Sequence, residues 1–367
     1  MIVLACLSAV VSLLLALVFI RLGKSHAKSY GADMPQRFHA GDVPRIGGLA
    51  VLGGFAAALV VAAIGSLVGD PFNARIDVLE AASLLVVIIP AAAGGIYEDV
   101  TQRLGVRYRL LLTALSGVLA CWLLGLRVVS VDIPVLDTWL VAWGAPGMVL
   151  GILAICGLPH AFNLIDGYNG LAGTVAILVC LAIAHVALQI GDRQLAAVVL
   201  CLSGATCGFL LWNYPRGLIF AGDGGAYLWG VVIAVASILL VQRHSQVSPW
   251  FPMLLLIYPV WEVVFSIYRK LARGQSPSMA DALHFHQLIY RRIVREVFHD
   301  DETRRMLMRN NRTSPYLWGF TLLTVIPAVL FWQNSLMLKA FCALFVVSYI
   351  YAYVSIVRFK VPRWLRR

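Results

Sequence analysis

The sequence predicts an all-α integral membrane protein with about eleven transmembrane helices, and two observations support this fold class. First, 60% of its 367 residues are apolar and only 13% are charged, against about 45–50% and about 25% in soluble domains. Second, uncharged runs long enough to cross about 30 Å of hydrocarbon recur along the chain. No repeat or interdomain linker is visible, so residues 1–367 are expected to form a single polytopic domain.

The individual spans follow from these apolar runs, most of which contain Gly or Pro. The first run is longer than a signal-peptide core and has no Ala-x-Ala-like cleavage site behind it, so it is interpreted as a retained helix. The predicted spans lie near residues 2–20, 46–69, 79–97, 110–126, 138–158, 171–190, 195–212, 224–241, 249–267, 316–333 and 340–357.

Basic residues sort by membrane side. If the N-terminus is outside, 24 of the 29 Lys and Arg residues lie in cytoplasmic connections or in the C-terminal tail. Because Lys and Arg are enriched on the cytoplasmic side, we expect a periplasmic N-terminus and a cytoplasmic C-terminus in a bacterial inner membrane. This sorting accounts for the net charge of +11, so a nucleic-acid partner is not predicted.

Acidic and amide side chains gather at the cytoplasmic ends of several spans. In chain order they are Glu98, Asp99, Asn163, Asp166, Asn213 and Asp223. Since consecutive spans alternate in direction, these residues share one membrane face with His284 and His286 of the ninth connection. Charged groups close to a membrane are costly and therefore indicate a functional site.

The residue types at this face indicate metal and phosphate chemistry. Carboxylates and amides suit a hard divalent cation, Mg²⁺ with Mn²⁺ as an alternative. Arginine binds phosphate oxygens in pairs, although each arginine here can equally be a positive-inside anchor; they are Arg45, Arg103, Arg107 and Arg109. The Gly222–Gly225 segment places Asp223 at a helix N-terminus, which favours a metal with a pyrophosphate and is also compatible with a simple helix cap.

The ninth connection, residues 269–315, is the largest predicted soluble segment. A Ser276-Pro277 turn precedes His284-Phe285-His286, and the basic surroundings favour phosphate contact by the histidines over a structural role. Behind them, apolar residues on one face predict an amphipathic helix on the cytoplasmic leaflet. These residues are Ile289, Ile293 and Val297.

Four segments resemble motifs of the polyprenyl-phosphate N-acetylhexosamine-1-phosphate transferases. They are Tyr97-Glu98-Asp99, Ala161-Phe162-Asn163-Leu164-Ile165-Asp166-Gly167, Phe220-Ala221-Gly222-Asp223-Gly224 and Ser276-Pro277 with His284-Phe285-His286. That family includes the translocase that forms lipid I and the transferases that initiate O-antigen and related polysaccharides. The resemblance runs from about residue 44 to residue 312, and eleven spans look like the O-antigen branch.

The resemblance implies a membrane enzyme that moves N-acetylhexosamine-1-phosphate from a UDP-sugar to undecaprenyl phosphate and releases UMP. This reaction is the first membrane step of a polysaccharide pathway and requires Mg²⁺. The implied partners are the UDP-N-acetylhexosamine donor, the polyprenyl phosphate acceptor and the membrane itself, with a homodimer as a further expectation. The active site would face the cytoplasm.

The resemblance also implies a role for each matching residue. Asp223 matches the metal ligand, whereas Glu98, Asp99 and Asp166 match catalytic carboxylates, of which Asp99 is favoured as the base. The residues expected to bind substrate are Asn163, Asn213, His284, His286, Arg45, Arg107 and Arg109.

Three residues depart from the family pattern and keep alternatives open. Glu98 replaces the first Asp of an Asp-Asp pair, Asn169 replaces the second Asp of the Asn-x-x-Asp-Gly-x-Asp-Gly loop, and Gln287 stands where a third histidine is common. Only Asn169 removes a base or ligand. A non-catalytic relative is one alternative. The other is a transporter or flippase of a lipid-linked intermediate, against which the one-sided acidic residues argue.

Overall fold

The structure is a computed structural model that describes residues 1–23, 43–276, 283–294, 297 and 299–358. All regular elements within these residues are helices. They are α1 (Ile2–Leu22), α2 (Gly47–Leu67), α3 (Val78–Thr101), α4 (Val106–Leu123), α5 (Pro134–Trp143), α6 (Ala145–Ile165), α7 (Leu171–Gln189), α8 (Arg193–Asn213), α9 (Gly222–Arg243), α10 (Trp250–Leu255), α11 (Ile257–Ala272), α12 (Phe285–Arg292), α13 (Glu302–Leu330) and α14 (Ser335–Val357).

Ten helices in the described part of the chain are long and apolar enough to cross a membrane. They are α1 to α4, α6 to α9, α13 and α14. A helix satisfies its backbone hydrogen bonds internally, which hydrocarbon requires. The expected fold class, an all-α multi-pass membrane protein, is therefore confirmed.

Two predicted spans have different boundaries in the structure, and backbone chemistry explains both. The ninth span, expected at residues 249–267, is divided at Leu256 into α10 and α11. Pro259 lacks the N–H that would donate to the Leu255 carbonyl, and its ring clashes with that carbonyl, which disrupts the helix at this point. The fifth span begins at Ala145, after Gly144 with its φ of +63°. Whether α10 and α11 together form an eleventh crossing stays a prediction.

Helix α9 is the centre of the bundle, and 89% of its most apolar 18-residue stretch is buried. It packs against α2, α3 and α6, and small residues allow the backbones to approach closely. A Cβ added at Gly48 would lie 2.1 Å from the Gly225 nitrogen, and one at Gly230 would lie 2.3 Å from Pro159 Cα. The start of α9 is therefore fixed against three neighbouring helices.

Helix α12 and the described residues that follow it are largely buried against the protein, which corrects one expectation. Helix α12 ends at Arg292 and contacts α13 and α14. Ile289, Ile293 and Val297 are at most 5% exposed, so the expected placement of an amphipathic helix on the leaflet is wrong. Its apolar face is covered by other helices, where burial gains more than partial contact with lipid.

Parts of the predicted cytoplasmic surface lie outside the described residues. Pro277 of the expected turn is among them, as are most basic residues of the first connection and of the C-terminal tail. Within the predicted 269–315 segment, α11 continues to Ala272 and α13 already begins at Glu302.

Candidate active site

Asp223 lies in the first turn of α9 and is held by side chains from three helices. Its Oδ2 accepts hydrogen bonds from Arg109 Nη1 on α4 at 2.9 Å and from the Tyr227 hydroxyl at 3.2 Å. Its Oδ1 accepts from Asn163 Nδ2 on α6 at 2.6 Å. The side chain remains 18% exposed. The carboxylate is thus oriented by cationic and neutral donors and stays accessible to a ligand.

Asp99, in the last turn of α3, caps the N-terminus of α9. Its Oδ1 accepts from the Asp223 N–H at 2.8 Å and its Oδ2 accepts from the Gly224 N–H at 2.9 Å. A helix N-terminus has unpaired N–H groups and a partial positive charge, so a carboxylate is well placed there. Both Asp99 oxygens are therefore used to hold the helix that carries Asp223.

Gly222 has the backbone conformation and the space that this arrangement requires. Its φ is +70°, a value that favours glycine. A Cβ there would lie 2.2 Å from the Arg45 carbonyl oxygen and 2.5 Å from either Asp99 oxygen. The glycine next to Asp223 therefore allows two other chain segments to approach the start of α9.

Arg45 is positioned by an extended segment that pairs with the residues before α9. The Phe220 N–H donates to the Pro44 carbonyl at 2.9 Å, and the Gly47 and Gly48 N–H groups donate back at 2.8 Å to the Phe220 and Ala221 carbonyls. The Arg45 charge acts on both Asp99 and Asp166. It partly balances the negative charge of the site.

Asp166 follows the last residue of α6, and the described residues give its carboxylate no hydrogen bond. Burial, together with the charge of Asp223, raises the pKa of Asp166 to about 7, against the opposing effect of Arg45. The residue is partly exposed at the surface. A carboxyl group with this pKa can exchange a proton near neutral pH.

The histidine segment, residues 284–286, lies beside the loop that carries Asp166, residues 166–170. A Cβ at Gly167 would lie 3.2 Å from His286 Nε2, and the His286 ring makes an edge contact with Tyr168 at 5.6 Å. The His284 and His286 rings stack with centroids 5.4 Å apart. Burial, with the charges of His284 and Arg269, lowers the pKa of His286 well below its usual range. His286 is therefore neutral at pH 7.

Glu262 on α11 anchors the start of α12. It is 1% exposed, and its Oε1 accepts from the Phe285 N–H at 3.2 Å and from the Tyr349 hydroxyl at 2.8 Å. Its Oε2 lies 3.5 Å from His284 Nδ1. A buried carboxylate requires such partners, and here they connect the histidine segment to α14.

Two predicted site residues bind backbone groups elsewhere in the structure, and a third lies exposed. Glu98 accepts from the Leu104 N–H at 2.7 Å and stabilises the turn after α3. Arg107 is exposed without a polar contact to the described residues. The Asn213 amide is buried, accepting from the Gly170 N–H at 2.7 Å and donating to the Ile219 carbonyl at 2.8 Å. Asn213 therefore connects the two loops beside the site through backbone atoms.

The donor set fits a magnesium ion bound largely through substrate. The described residues contain no group of three or more His, Cys, Asp or Glu side chains that would hold a metal ion by themselves. Asp166 and Asp223 interact electrostatically, and Asp166 lacks a hydrogen-bond donor. Mg²⁺ is typically bound by one or two carboxylates together with phosphate oxygens, and the partly exposed Asp223 carboxylate could supply one.

Some functional contacts were missed by sequence reasoning. Tyr227 was overlooked, although its position four residues after Asp223 places it one helical turn away on the same face. The contacts of Asn169 with Asn310 and Asn311, at 2.8 and 2.9 Å, join residues more than 140 positions apart. No local pattern in the sequence indicates such a pair.

Comparisons with known proteins are consistent with this geometry. Residues 81–241 match the family described as glycosyl transferase family 4. The chain is 32% identical over 270 residues to a phospho-N-acetylmuramoyl-pentapeptide-transferase of Rubrobacter xylanophilus, covering 67% of this chain and 75% of the relative. It is 29% identical over 282 residues to a probable undecaprenyl-phosphate N-acetylglucosaminyl 1-phosphate transferase of Bacillus subtilis, covering 76% and 75%.

A third relative extends the comparison. The undecaprenyl-phosphate alpha-N-acetylglucosaminyl 1-phosphate transferase of Yersinia pestis is 25% identical over 290 residues, covering 76% of this chain and 74% of the relative. The matched family region contains Asp99, Arg109, Asn163, Asp166 and Asp223.

Proposed function

Because the chain belongs to glycosyl transferase family 4, we propose that it transfers N-acetylhexosamine-1-phosphate from a UDP-sugar to undecaprenyl phosphate and releases UMP. One observation carries this proposal: Asp99, Arg109, Asn163 and Asp223, from four helices, are joined by hydrogen bonds at one end of the bundle. The names of the relatives support the acceptor and the sugar phosphate. The sidedness of basic residues supports a cytoplasmic site.

The proposed reaction is a direct displacement at phosphorus. An oxygen of the lipid phosphate attacks the β-phosphorus of the donor, and a new P–O bond forms. The bond between the β-phosphorus and the bridging oxygen breaks, and UMP leaves with that oxygen and its electron pair. Little covalent chemistry is needed from the protein, so its contribution is positioning and charge balance.

Charged side chains at the site match the charges of the substrates. Arg109 is oriented by Asp223, and its Nε is buried without a partner among the described residues. A phosphate oxygen would satisfy that N–H in a charge-assisted hydrogen bond. Arg45, whose charge acts on Asp99 and Asp166, would balance the second phosphate.

A magnesium ion, with Mn²⁺ as an alternative, would supply a Lewis acid that polarises phosphoryl oxygens. Asp223 would hold it together with the donor pyrophosphate. Asp99 would orient the helix that carries Asp223. His284 and His286 would line the donor side, where a neutral His286 can donate one hydrogen bond.

The base role fits Asp166 better than Asp99. Both Asp99 oxygens accept backbone N–H bonds, whereas Asp166 has no such donor and a pKa of about 7. A phosphate monoester has a second pKa near 6, so much of the lipid phosphate is already deprotonated at pH 7. Asp166 would therefore accept a proton only from the lipid phosphate molecules that are still protonated.

The test is UMP release by the purified protein in detergent. Release should require a UDP-N-acetylhexosamine, undecaprenyl phosphate and Mg²⁺ together. Asp223→Asn should lower turnover by about 100-fold or more, because it removes a charge that stabilises the transition state. Asp300→Asn, an exposed residue, is the matched control and should keep normal turnover.

Two results would contradict the proposal. One is UMP release that does not depend on the lipid acceptor. The other is near-normal turnover of Asp223→Asn. Uptake of a lipid-linked intermediate into proteoliposomes without nucleotide turnover would favour the transporter alternative instead.

A further inference from the structure

Helix α13 holds the loop that follows α6, and Asn169 is the point of attachment. The Asn169 N–H donates to Asn310 Oδ1 at 2.8 Å, and the Ser314 hydroxyl donates to the Asn169 carbonyl at 2.6 Å. One turn further along α13, the Trp318 indole donates to the Gly170 carbonyl at 3.1 Å. Asn169 is 2% exposed, so these bonds are shielded from water.

The side chain of residue 169 must be a hydrogen-bond donor at this position. Asn311 donates through Nδ2 to the Pro215 carbonyl, a group that can only accept. The Asn311 Oδ1 therefore points the other way, where it accepts from Asn169 Nδ2 at 2.9 Å. The Pro215 carbonyl oxygen therefore fixes the orientation of the Asn311 amide, and Asn311 in turn fixes that of Asn169.

A carboxylate at position 169 would oppose this chain of bonds. An aspartate oxygen in place of Nδ2 would face the Asn311 oxygen, and both groups would be acceptors. If the Asn311 amide turned over, its oxygen would face the Pro215 carbonyl instead. The loop leaves little room for adjustment, since a Cβ at Gly217 would lie 2.8 Å from Asn169 Nδ2. Because Asn169 itself is 2% exposed, a mismatch at its side chain is costly.

We propose that Asn169 is a positioning residue, and that this chain requires an amide there because α13 uses it to place Asp166 in the active site. The proposal rests on the proposed function. Asp166 lies three residues before Asn169 in the same loop, and Gly167 contacts His286. Displacement of the loop would therefore move the carboxyl group and its contact with the histidine segment together.

The proposal reverses the simplest expectation about this residue. A missing family aspartate suggests a weakened or lost activity, which the aspartate should restore. The donor requirement predicts the opposite, because Asn169→Asp introduces the same carboxyl group into a site shaped for an amide.

The experiment measures UMP release by the full-length protein with UDP-N-acetylglucosamine, undecaprenyl phosphate and Mg²⁺. Asn169→Asp should lower kcat by about 10-fold or more, with a much smaller change in KM for either substrate, since Asp166 acts in the chemical step. Asn334→Asp is the matched control. Asn334 caps α14 by accepting from the Met337 N–H, and an aspartate accepts equally well.

A double-mutant cycle separates the specific mismatch from general damage to the loop. Asn311→Ala alone removes one hydrogen bond and should lower kcat by about 3-fold. In the Asn311→Ala background, Asn169→Asp should lower kcat by less than 3-fold, because the opposing oxygen of Asn311 is gone. The thermal midpoint in detergent should show the same partial rescue, so a poorly folding Asn169→Asp remains informative.

The possible outcomes distinguish this proposal from the proposed function. The positioning role is wrong, and the proposed function stands, if the wild type releases UMP and the kcat of Asn169→Asp stays within 2-fold of the wild-type value. The same holds if Asn169→Asp lowers kcat by the same factor with and without Asn311→Ala. If the wild type releases no UMP, the proposed function fails. In that case rescue of the thermal midpoint still tests the donor requirement, and its absence contradicts it.

Discussion

Asp99 and Asp223 are adjacent carboxylates with different tasks. Asp99 is 6% exposed and accepts from two backbone N–H groups, whereas Asp223 is bound by side chains and stays partly exposed. A buried acceptor of backbone bonds mainly stabilises structure, and an accessible carboxylate can bind a ligand. Substitutions at the two residues should therefore have different consequences.

Asp99→Asn should lower both stability and activity. An amide NH₂ would face one of the two α9 N–H groups, and the loss of a helix cap with an unpaired donor costs about 1–3 kcal/mol. The measurement is the thermal midpoint in detergent, compared with that of Asp223→Asn. Asp223→Asn keeps the cap and should retain a higher midpoint than Asp99→Asn. An Asp99→Asn protein with a wild-type midpoint would contradict the capping role.

The neutral state of His286 predicts a pH dependence of stability. Its pKa is depressed in the folded protein, whereas an unfolded histidine has a pKa of about 6.5. Below about pH 6.5 the unfolded chain therefore binds more protons, so this contribution to stability is complete above that pH and is lost as the pH falls. The thermal midpoint should decline from pH 7.5 to 5.5 less steeply in His286→Gln than in the wild type. Equal slopes would contradict the prediction.

At the scale of elements, the site depends on how closely α9 approaches α2. Gly48 and Gly225 are in backbone contact, and the start of α2 also pairs with the residues before α9. Small residues at such crossings replace the hydrophobic driving force that lipid does not supply. The separation of these two helices therefore controls the position of Asp223 and Arg45 together.

Gly48→Ala tests this contact. A Cβ 2.1 Å from the Gly225 nitrogen forces the helices apart, which should cost about 1–3 kcal/mol and lower turnover. Gly157→Ala on α6 is the matched control, because nothing lies within 4 Å of its Cβ. It should be neutral or slightly stabilising, since alanine is the better helix former. Equal effects of the two variants would show that the close approach has no special role.

The sequence predicts those elements of the site that depend on helix ends, and it misses those that depend on contacts between distant segments. Alternation of spans correctly brought Asp99, Asn163 and Asp223 together. It did not indicate that Asn213 would bind backbone atoms, or that α12 would be covered by α13 and α14, because both depend on how separate segments pack. The break at Leu256 was readable from Pro259 and was overlooked.

A site built from the ends of several helices requires the whole bundle to have one orientation in the membrane. The linked residues all lie at one end of the bundle, and the asymmetry of basic residues predicts that this end faces the cytoplasm. A fluorescent protein fused after Arg367, which folds and fluoresces in the cytoplasm, should be bright in whole cells. A dark fusion with full-length expression would place the C-terminus outside and contradict the proposed sidedness.

The central claim is that this site transfers a sugar together with its phosphate. The most direct measurement uses a UDP-N-acetylhexosamine that carries ³²P at the β-phosphorus, incubated with the protein, undecaprenyl phosphate and Mg²⁺. The account predicts that the label moves into the extracted lipid and that unlabelled UMP is released in equal amount. Labelled UDP in solution, with sugar but no label on the lipid, would show transfer of the sugar alone and would contradict the account.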